Sequence, residues 1–489
     1  MLFNSHIFML LFLPLLLAGW YFLNWKKKFQ LAQGYLIGMS LWFYAYANLQ
    51  YLWLLLFSCL IGWLLSCLPE KIFSEKGKKV LTGVGCVFHL GLLGYFKYSN
   101  FFLENLNTVF HTDFPMLQIL LPVGISFYTF QQLAYLIDRC RGDAPRDSFF
   151  DYLTFMVYFP QLLQGPILLR SEFMGQLKEP ERRRFHAGRF SEGIQFFVFG
   201  LAKKVLLADT LAKAVNYGYS NVSMLDSISA LLLAAGYLTE LYFDFSGYCD
   251  MAVGLGKMIG LEVAENFDAP FHSASVKEFW RRWHMTLGRF FTRYVYIPLG
   301  GNRKGKMRTL CNVMIVMLLS GLWHGAAWTF VLWGFLHGVG MIWDNLEHPH
   351  LPKKWMRQAA TFAYVCMTFV FFRAESIAQG VDVLKSIVSL KWNGFVFQMA
   401  SALDLTEFYM ITKALSMKLP GLLSWFWLGI FVVLIAICFR VLSGEKVSGV
   451  VALQRQKGYG RLYPVVLAVL FTWSMISMTG VSEYLYFSF

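Results

Sequence analysis

The sequence predicts an all-α polytopic membrane protein with about 11 to 13 transmembrane or re-entrant helices. Of its 489 residues, 57% are hydrophobic and only 15% are charged, whereas soluble domains carry roughly 25% charged residues. The apolar residues form runs long enough to cross a bilayer core of roughly 30 Å. No segment between these runs has the pattern of a soluble domain, so we expect residues 1–489 to form a single helical membrane domain.

Apolar runs that predict membrane helices recur from one end of the chain to the other. They lie near residues 7–24, 31–48, 50–68, 80–96, 117–137, 191–208, 226–243, 309–343, 356–373, 420–440 and 461–480. Lysines cluster at 26–28 and 71–79, after the first and third runs, whereas residues 47–50 after the second run carry no charge. Because Lys and Arg concentrate in cytoplasmic connections, this pattern predicts an N-terminus on the outer face.

Charge and cysteine content argue against several kinds of binding site. The net charge of +14 comes from basic clusters between apolar spans, so we expect contact with lipid headgroups and no nucleic-acid partner. The eight cysteines include no CxxC pair and no His/Cys cluster at metal spacing. We therefore expect neither a disulfide framework nor a zinc site.

Residues 149–169 are apolar but have basic sequence on both sides, at 139–146 and 170–189. Pro160, Gly165 and Pro166 lie inside this run and are residues that break helices. Two interpretations remain open. The segment is either a re-entrant loop that enters and leaves on one face, surrounded by protein, or an ordinary span with one connection misassigned.

Polar side chains interrupt the later apolar runs. Lys203 and Lys204 are expected to extend toward a membrane interface. Asp244, Asp250 and Asn266 are expected to face protein or water, because a carboxylate at the bilayer centre costs about 2.5–3.5 kcal/mol. Each is either a structural hydrogen-bond partner or helix cap, or a group that orients an imidazole or contacts a substrate.

Residues 277–308 combine nine Lys or Arg with a single acid, Glu278, and with interleaved aromatic side chains. Such a segment is typical of an amphipathic stretch lying on anionic headgroups. The same basic cluster can also hold the diphosphate and phosphate of a coenzyme A thioester.

The run 309–343 contains no Asp, Glu, Lys or Arg and carries His324 near its middle. As one helix its 35 residues would be roughly 50 Å long, which exceeds the bilayer core, so we predict a break at Gly321 and Gly325. His324 is either a buried structural histidine or a general base in a dry pocket. His337 falls on a different face of a continuous helix and is expected to be structural.

Six stretches together carry a resemblance to a known family. They are Gly94–Tyr98, residues 121–128 (LPVGISFY), 242–248 (YFDFSGY), 278–284 (EFWRRWH), 299–303 (LGGNR) and 321–325 (GLWHG). Together they resemble the membrane-bound O-acyltransferase superfamily, and most closely its bacterial branch, typified by the membrane subunit of alginate O-acetylation. The resemblance covers residues 1–345 and is weaker in the C-terminal helices of residues 346–489.

The resemblance implies helices around a central catalytic funnel or tunnel, with His324 and His284 as catalytic residues. The residues it suggests for a substrate or donor channel are Trp323, Arg281, Arg282, Trp283, Asn302 and Asp244. The implied mechanism is acyl transfer to an alcohol, with His324 as general base and His284 positioning a substrate or stabilising charge. A covalent acyl-histidine, or an acyl-cysteine on Cys249 or Cys311, is an alternative.

The resemblance also implies the substrates and the location. The donor is acetyl-CoA or another acyl thioester, with no permanently bound cofactor, and the protein lies in the bacterial inner membrane. The acyl group would pass through an extracytoplasmic partner protein to a polysaccharide that the sequence does not identify, whether alginate, cellulose or peptidoglycan.

Three other functions stay open at this point. Within enzymes, the family resemblance extends to transfer of D-alanine from a carrier-protein thioester onto a cell-wall polymer. A transporter would also place histidines and acids inside the membrane. A structural subunit of a polysaccharide export complex would use the same residues for packing alone.

Overall fold

The computed structural model describes residues 1–47, 49–67, 75–346, 352–437, 446–457, 460, 462–478 and 484–485. These residues form helices and turns without any strand, and part of the predicted lysine cluster at 71–79 lies outside them. Among them, six helices are long and apolar enough to cross a membrane, and two shorter apolar helices, Trp328–Trp343 and Leu462–Ser477, accompany them. The prediction of an all-α multi-pass membrane protein is therefore confirmed.

The helices are numbered here in chain order. Helices α1 to α8 are Leu13–Trp25, Phe29–Ala47, Leu52–Cys67, Glu75–Leu93, Ser99–Phe110, Ile125–Arg141, Phe149–Val157 and Phe159–Leu162. Helices α9 to α16 are Arg170–Leu177, Ala187–Ala202, Asp209–Ser220, Ser227–Ile259, Val276–Arg282, Met285–Phe291, Lys306–His324 and Trp328–Trp343. Helices α17 to α23 are Lys354–Arg373, Ile377–Val388, Phe395–Ser401, Tyr409–Lys418, Pro420–Ile437, Val447–Lys457 and Leu462–Ser477.

Short helical turns of other types join several of these helices. The π-helical turns are Phe8–Phe12, Gly94–Tyr98, Lys203–Ala208 and Thr292–Tyr296. The 3₁₀ turns are Leu49–Tyr51, Pro180–Arg183, Val222–Met224, Pro270–His272 and Thr406–Phe408. Because π turns occur mostly inside longer helices, α4 and α5 are halves of one long helix interrupted at Gly94–Tyr98.

Helix α12 is the centre of the bundle. In its most apolar 18-residue window 78% of the residues are buried, compared with 39% or less in the other five candidate spans. Helix α10 packs against it at two glycine pairs. A Cβ atom at Gly193 would lie 2.7 Å from the carbonyl oxygen of Gly254, and one at Gly200 would lie 2.5 Å from that of Gly247. These glycines let the two backbones touch, as small residues do between membrane helices.

Three ion pairs formed by two lysines lie beside this helix contact. Lys204 Nζ is 2.6 Å from Asp244 Oδ1 and 2.8 Å from Asp209 Oδ1, and Lys203 Nζ is 2.6 Å from Asp250 Oδ2. The expectation that these lysines extend to an interface is wrong. The reason is that α12 supplies carboxylates inside the bundle, where the side chains of Lys204 and Asp244 are only 2% and 1% exposed.

We expect Lys204→Met to lower the free energy of unfolding by about 3–5 kcal/mol, because it leaves the Asp244 carboxylate buried without its cation. The control is Lys257→Met, which breaks the more exposed ion pair with Glu192 and should cost about 1 kcal/mol or less. Unfolding of both variants in detergent micelles would be compared with wild type. Equal losses of unfolding free energy in the two variants would show that the Lys204 pair contributes no more than the more exposed pair of Lys257 and Glu192.

The hairpin of α15 and α16 contains the predicted break. Helix α15 ends at His324, and Gly325 has extended φ and ψ angles of −157° and 150°. The predicted break at Gly325 is confirmed, but the one at Gly321 is wrong, since Gly321 lies inside α15. A Cβ atom there would collide with the carbonyl oxygen of Phe330 on α16. Gly321 therefore permits close approach of the two helices.

The apolar segment 149–169 is broken and buried. Helices α7 and α8 are separated at Tyr158, and the chain from residue 165 to 169 is not helical. Ile167 N donates a hydrogen bond of 3.0 Å to Thr286 Oγ1, which pairs part of the buried non-helical backbone with a side chain. Non-helical backbone inside a membrane protein requires such partners.

Candidate active site

His324 lies in an aromatic environment at the end of α15. The residue is 4% exposed. The centroid of its imidazole is 4.9 Å from that of Trp323, 5.2 Å from that of Trp333 and 5.2 Å from that of Phe372. Because α15 rises about 1.5 Å per residue, His324 lies roughly 27 Å along the helix axis from Lys306. The imidazole is therefore far from the basic connection that precedes α15.

His284 is fully buried and has an unusual backbone conformation. Its φ of 46° and ψ of 51° are left-handed, which costs energy in a residue that has a Cβ atom. Nδ1 lies 3.2 Å from Asn266 Oδ1. Since an amide oxygen only accepts, Nδ1 carries the proton and Nε2 is the basic nitrogen. Burial lowers the pKa of His284 to about 3, so this imidazole is neutral at physiological pH.

Asn266 holds His284 and the start of α14 together. Its Oδ1 also accepts hydrogen bonds from Thr286 N at 3.0 Å and Thr286 Oγ1 at 2.9 Å. Its backbone oxygen accepts one from Met285 N at 2.9 Å, and its Nδ2 donates to Cys249 Sγ at 3.4 Å. The side chain of Asn266 thus fixes the orientation of the His284 ring.

The fold brings the two predicted catalytic histidines next to one indole. The centroid of Trp323 is 6.1 Å from that of His284 and 4.9 Å from that of His324. Two histidines 40 positions apart in the sequence therefore share Trp323 as a neighbour, and their joint catalytic role stays a prediction.

His337 lies near this site but has a full set of structural partners. Its Nδ1 accepts a hydrogen bond of 3.2 Å from Trp280 Nε1, and its Nε2 lies 2.9 Å from Thr368 Oγ1. Its ring is separated from His324 by Trp333, whose centroid is 4.9 Å away. Both nitrogens contact side chains of the bundle, which is consistent with the prediction that His337 is structural.

A cavity of about 50 Å³ lies beside His324. Its lining includes Lys97, residues 121–127, Leu163, Trp323 and His324. Apart from Lys97, Ser126 and His324, the side chains around it are apolar. A reactive group in this cavity would meet the imidazole of His324 and the side-chain nitrogen of Lys97 among mostly apolar side chains.

A second cavity, of about 20 Å³, reaches Asn266. Lys203, Asp250, Glu265 and Lys446 also line it. The neighbouring Glu262 forms an ion pair of 3.5 Å with Arg182, so this cavity lies near the basic segment 170–189. His324 lines the first cavity, and Asn266, which contacts His284, lines the second.

The other residues predicted for a substrate or donor channel are spread over the molecule. Arg281 and Asn302 are exposed, and Arg282 forms an ion pair of 2.8 Å with Glu278. Trp283 is buried among aromatic rings, including Phe279 at a centroid distance of 5.3 Å. Of this group, only Trp323 touches both histidines, and Asp244 is held by Lys204. A channel role for the remaining members stays a prediction.

The structure adds residues that the sequence reasoning did not assign to the site. For Asn266 the sequence left open a structural role or the orientation of an imidazole, and the fold shows that it contacts His284. Lys97 lies in one of the six stretches that resemble the family. The sequence also distinguishes it, because it is the only Asp, Glu, Lys or Arg between residues 80 and 103. Within the described ranges, no group of three or more His, Cys, Asp or Glu is arranged to hold a metal ion.

Comparisons with known proteins place this site in a family context. The membrane-bound O-acyltransferase family model matches residues 143–378, which contain both histidines and Asn266. The chain is 35% identical over 423 residues to the peptidoglycan O-acetyltransferase of Helicobacter pylori, covering 80% of each chain. It is 39% identical over 389 residues to the probable alginate O-acetylase AlgI of Azotobacter vinelandii, covering 77% of this chain and 76% of the relative. Teichoic acid D-alanyltransferase of Bacillus subtilis is 28% identical over 271 residues, which cover 52% and 69% of the two chains.

Proposed function

Because the chain belongs to the membrane-bound O-acyltransferase family, we propose that it moves an acetyl group from cytoplasmic acetyl-CoA toward an extracytoplasmic polysaccharide hydroxyl. The observation that carries this proposal is the position of His324. It is a buried imidazole at a helix break, it lines a cavity, and it shares Trp323 with a second oriented imidazole.

His324 acts as the general base in this mechanism. A neutral imidazole removes the proton from the acceptor hydroxyl as the oxygen attacks the thioester carbonyl. The tetrahedral intermediate collapses, the carbon–sulfur bond breaks, and the leaving thiolate takes the proton from the imidazolium. The products are an ester and a free thiol, and the histidine returns to its neutral form.

His284, which also contacts Trp323, supports the same step. Asn266 fixes its tautomer, so that Nε2 is a hydrogen-bond acceptor of known direction. This nitrogen can accept a hydrogen bond from the acyl donor or from the hydroxyl of the acyl acceptor. It can thereby hold either substrate in the geometry of attack. Orientation of this kind contributes substantially to rate, because a misplacement of about 1 Å can cost about 10²-fold.

The two cavities support access from two faces of the membrane. The smaller cavity lies near the basic segment 170–189, which the positive-inside rule assigns to the cytoplasm together with exposed Arg303 and Lys304. We infer that the thioester approaches from this face, where basic side chains can bind its phosphates. The cavity at His324 is at the far end of α15, and the acceptor approaches there. In this orientation the N-terminus lies on the outer face of the inner membrane.

The acceptor class follows from the relatives. Two of them are named for O-acetylation of peptidoglycan and of alginate, which are both polysaccharides. We propose a polysaccharide acceptor for this chain, reached through an extracytoplasmic partner protein. Transfer of D-alanine from a carrier-protein thioester is the second candidate, because the teichoic acid D-alanyltransferase of Bacillus subtilis is also similar.

The test is acyl transfer from radiolabelled acetyl-CoA in membrane vesicles that contain or lack the protein. We expect labelled polysaccharide or partner protein only in vesicles with the protein. Labelling from a D-alanyl carrier-protein thioester, but not from acetyl-CoA, would favour the second candidate. Failure of both donors in the presence of a cytosolic and periplasmic extract would contradict the proposed reaction.

A further inference from the structure

Lys97 is a charged residue in an apolar part of the bundle. It lies in the π-helical turn Gly94–Tyr98, which interrupts the long helix formed by α4 and α5. Such turns displace side chains from the regular helical positions and are frequent at functional sites. Here the turn directs Lys97 and Tyr98 toward the end of α15.

The contacts of these two side chains are with the last backbone carbonyls of α15. Lys97 Nζ donates hydrogen bonds of 2.7 Å to Trp323 O and 2.9 Å to His324 O. Tyr98 Oη donates one of 2.6 Å to Leu322 O. The last carbonyls of a helix have no partner within the helix, and they form the negative end of its dipole. An ammonium at this position therefore donates hydrogen bonds to the unpaired carbonyls and neutralises the negative end of the dipole.

The ammonium group has little else to bind. Its remaining contact is a hydrogen bond of 3.4 Å to Ser126 Oγ, at the cavity beside His324. No ion pair joins Lys97 to a carboxylate in the part of the chain that the structure describes. A charge that is partly buried without an acidic partner needs another source of stabilisation, and the end of α15 supplies it.

We propose that Lys97 is a positioning residue, which holds the last turn of α15 so that the imidazole of His324 faces the cavity. This inference rests on the proposed acyl transfer, in which His324 is the base. Two of the three ammonium hydrogens bind carbonyls, and so Lys97 acts through the histidine rather than on a substrate. Loss of the Lys97 side chain should therefore lower kcat and leave the KM for acetyl-CoA unchanged.

The kinetic test uses Lys97→Met and Lys97→Arg in purified protein, with acetyl-CoA as donor. Methionine keeps the length of the side chain but removes the donors, and we expect kcat to fall by about 10–100-fold with KM unchanged. Arginine can donate to both carbonyls and should restore most of the activity. A raised KM with unchanged kcat would overturn the proposal, since it would make Lys97 a substrate-binding residue. Equal activity of wild type and Lys97→Met would overturn it as well.

A second readout separates this inference from the proposed function. Hydrogen exchange of a peptide spanning residues 320–328 reports on the last turn of α15 whether or not acetyl-CoA is the donor. We expect faster exchange in Lys97→Met and wild-type exchange in Lys97→Arg. If wild type does not transfer acetyl groups, the proposed function fails, while exchange still decides the role of Lys97. Unchanged exchange in Lys97→Met would overturn the positioning role.

Discussion

Replacing His324 with glutamine should lower kcat for acyl transfer by about 10²–10⁴-fold, the usual contribution of a general base. Glutamine fills most of the volume of the imidazole and can form hydrogen bonds, but it cannot take up a proton at neutral pH. The measurement is single-turnover transfer of label from acetyl-CoA in purified protein at matched folded concentration.

His337→Gln is the matched control for this variant. It makes the same chemical change one aromatic ring away, at a histidine whose two nitrogens contact Trp280 and Thr368. A glutamine amide offers both an acceptor and a donor to these partners. We expect this control to keep its activity. An equal loss of activity in both variants would show that the reaction does not depend specifically on the imidazole of His324, and the mechanism would be wrong.

Replacing Asn266 with alanine should lower kcat by about 10–100-fold, because the His284 ring loses its fixed orientation. The change also removes the acceptor of two hydrogen bonds from Thr286, and each buried donor left unpaired costs about 1–3 kcal/mol. Steady-state kinetics would be read together with unfolding in detergent, so that loss of folded protein is not counted as loss of rate.

Asn266→Asp separates orientation from folding in this test. A carboxylate oxygen can accept the same hydrogen bonds from His284 and Thr286. We expect higher activity in this variant than in the alanine variant. Wild-type activity in folded Asn266→Ala would show that the orientation of His284 does not contribute to the reaction.

The sequence was sufficient for the fold class and for part of the central hairpin. Hydropathy predicts a multi-pass helical protein because the bilayer restricts spanning structures to those that satisfy their own backbone. The break at Gly325 followed from the length of the run. Gly321 was misjudged, because a glycine that ends a helix and one that lets two helices touch look alike in a sequence. Only the position of Phe330 on α16 distinguishes them.

Long-range partners were the part that the sequence could not supply. Lys203 and Lys204 were expected at an interface, but their carboxylates lie about 40 residues later on α12, and that pairing depends on how the helices pack. The proximity of His284 and His324 was implied by family resemblance alone. The contacts of Asn266 and Lys97 with the histidines required the three-dimensional structure, since they join separate elements.

Side-resolved transfer in proteoliposomes tests the central claim most directly. Labelled acetyl-CoA is supplied on the face that carries Lys306, an acceptor oligosaccharide is enclosed on the opposite face together with a periplasmic extract that supplies the partner protein, and wild type is compared with His324→Gln. We predict labelled oligosaccharide with wild type only, and no passage of intact acetyl-CoA. Equal labelling by the variant, or accumulation of intact acetyl-CoA on the far side, would contradict acyl transfer by His324 between the two faces.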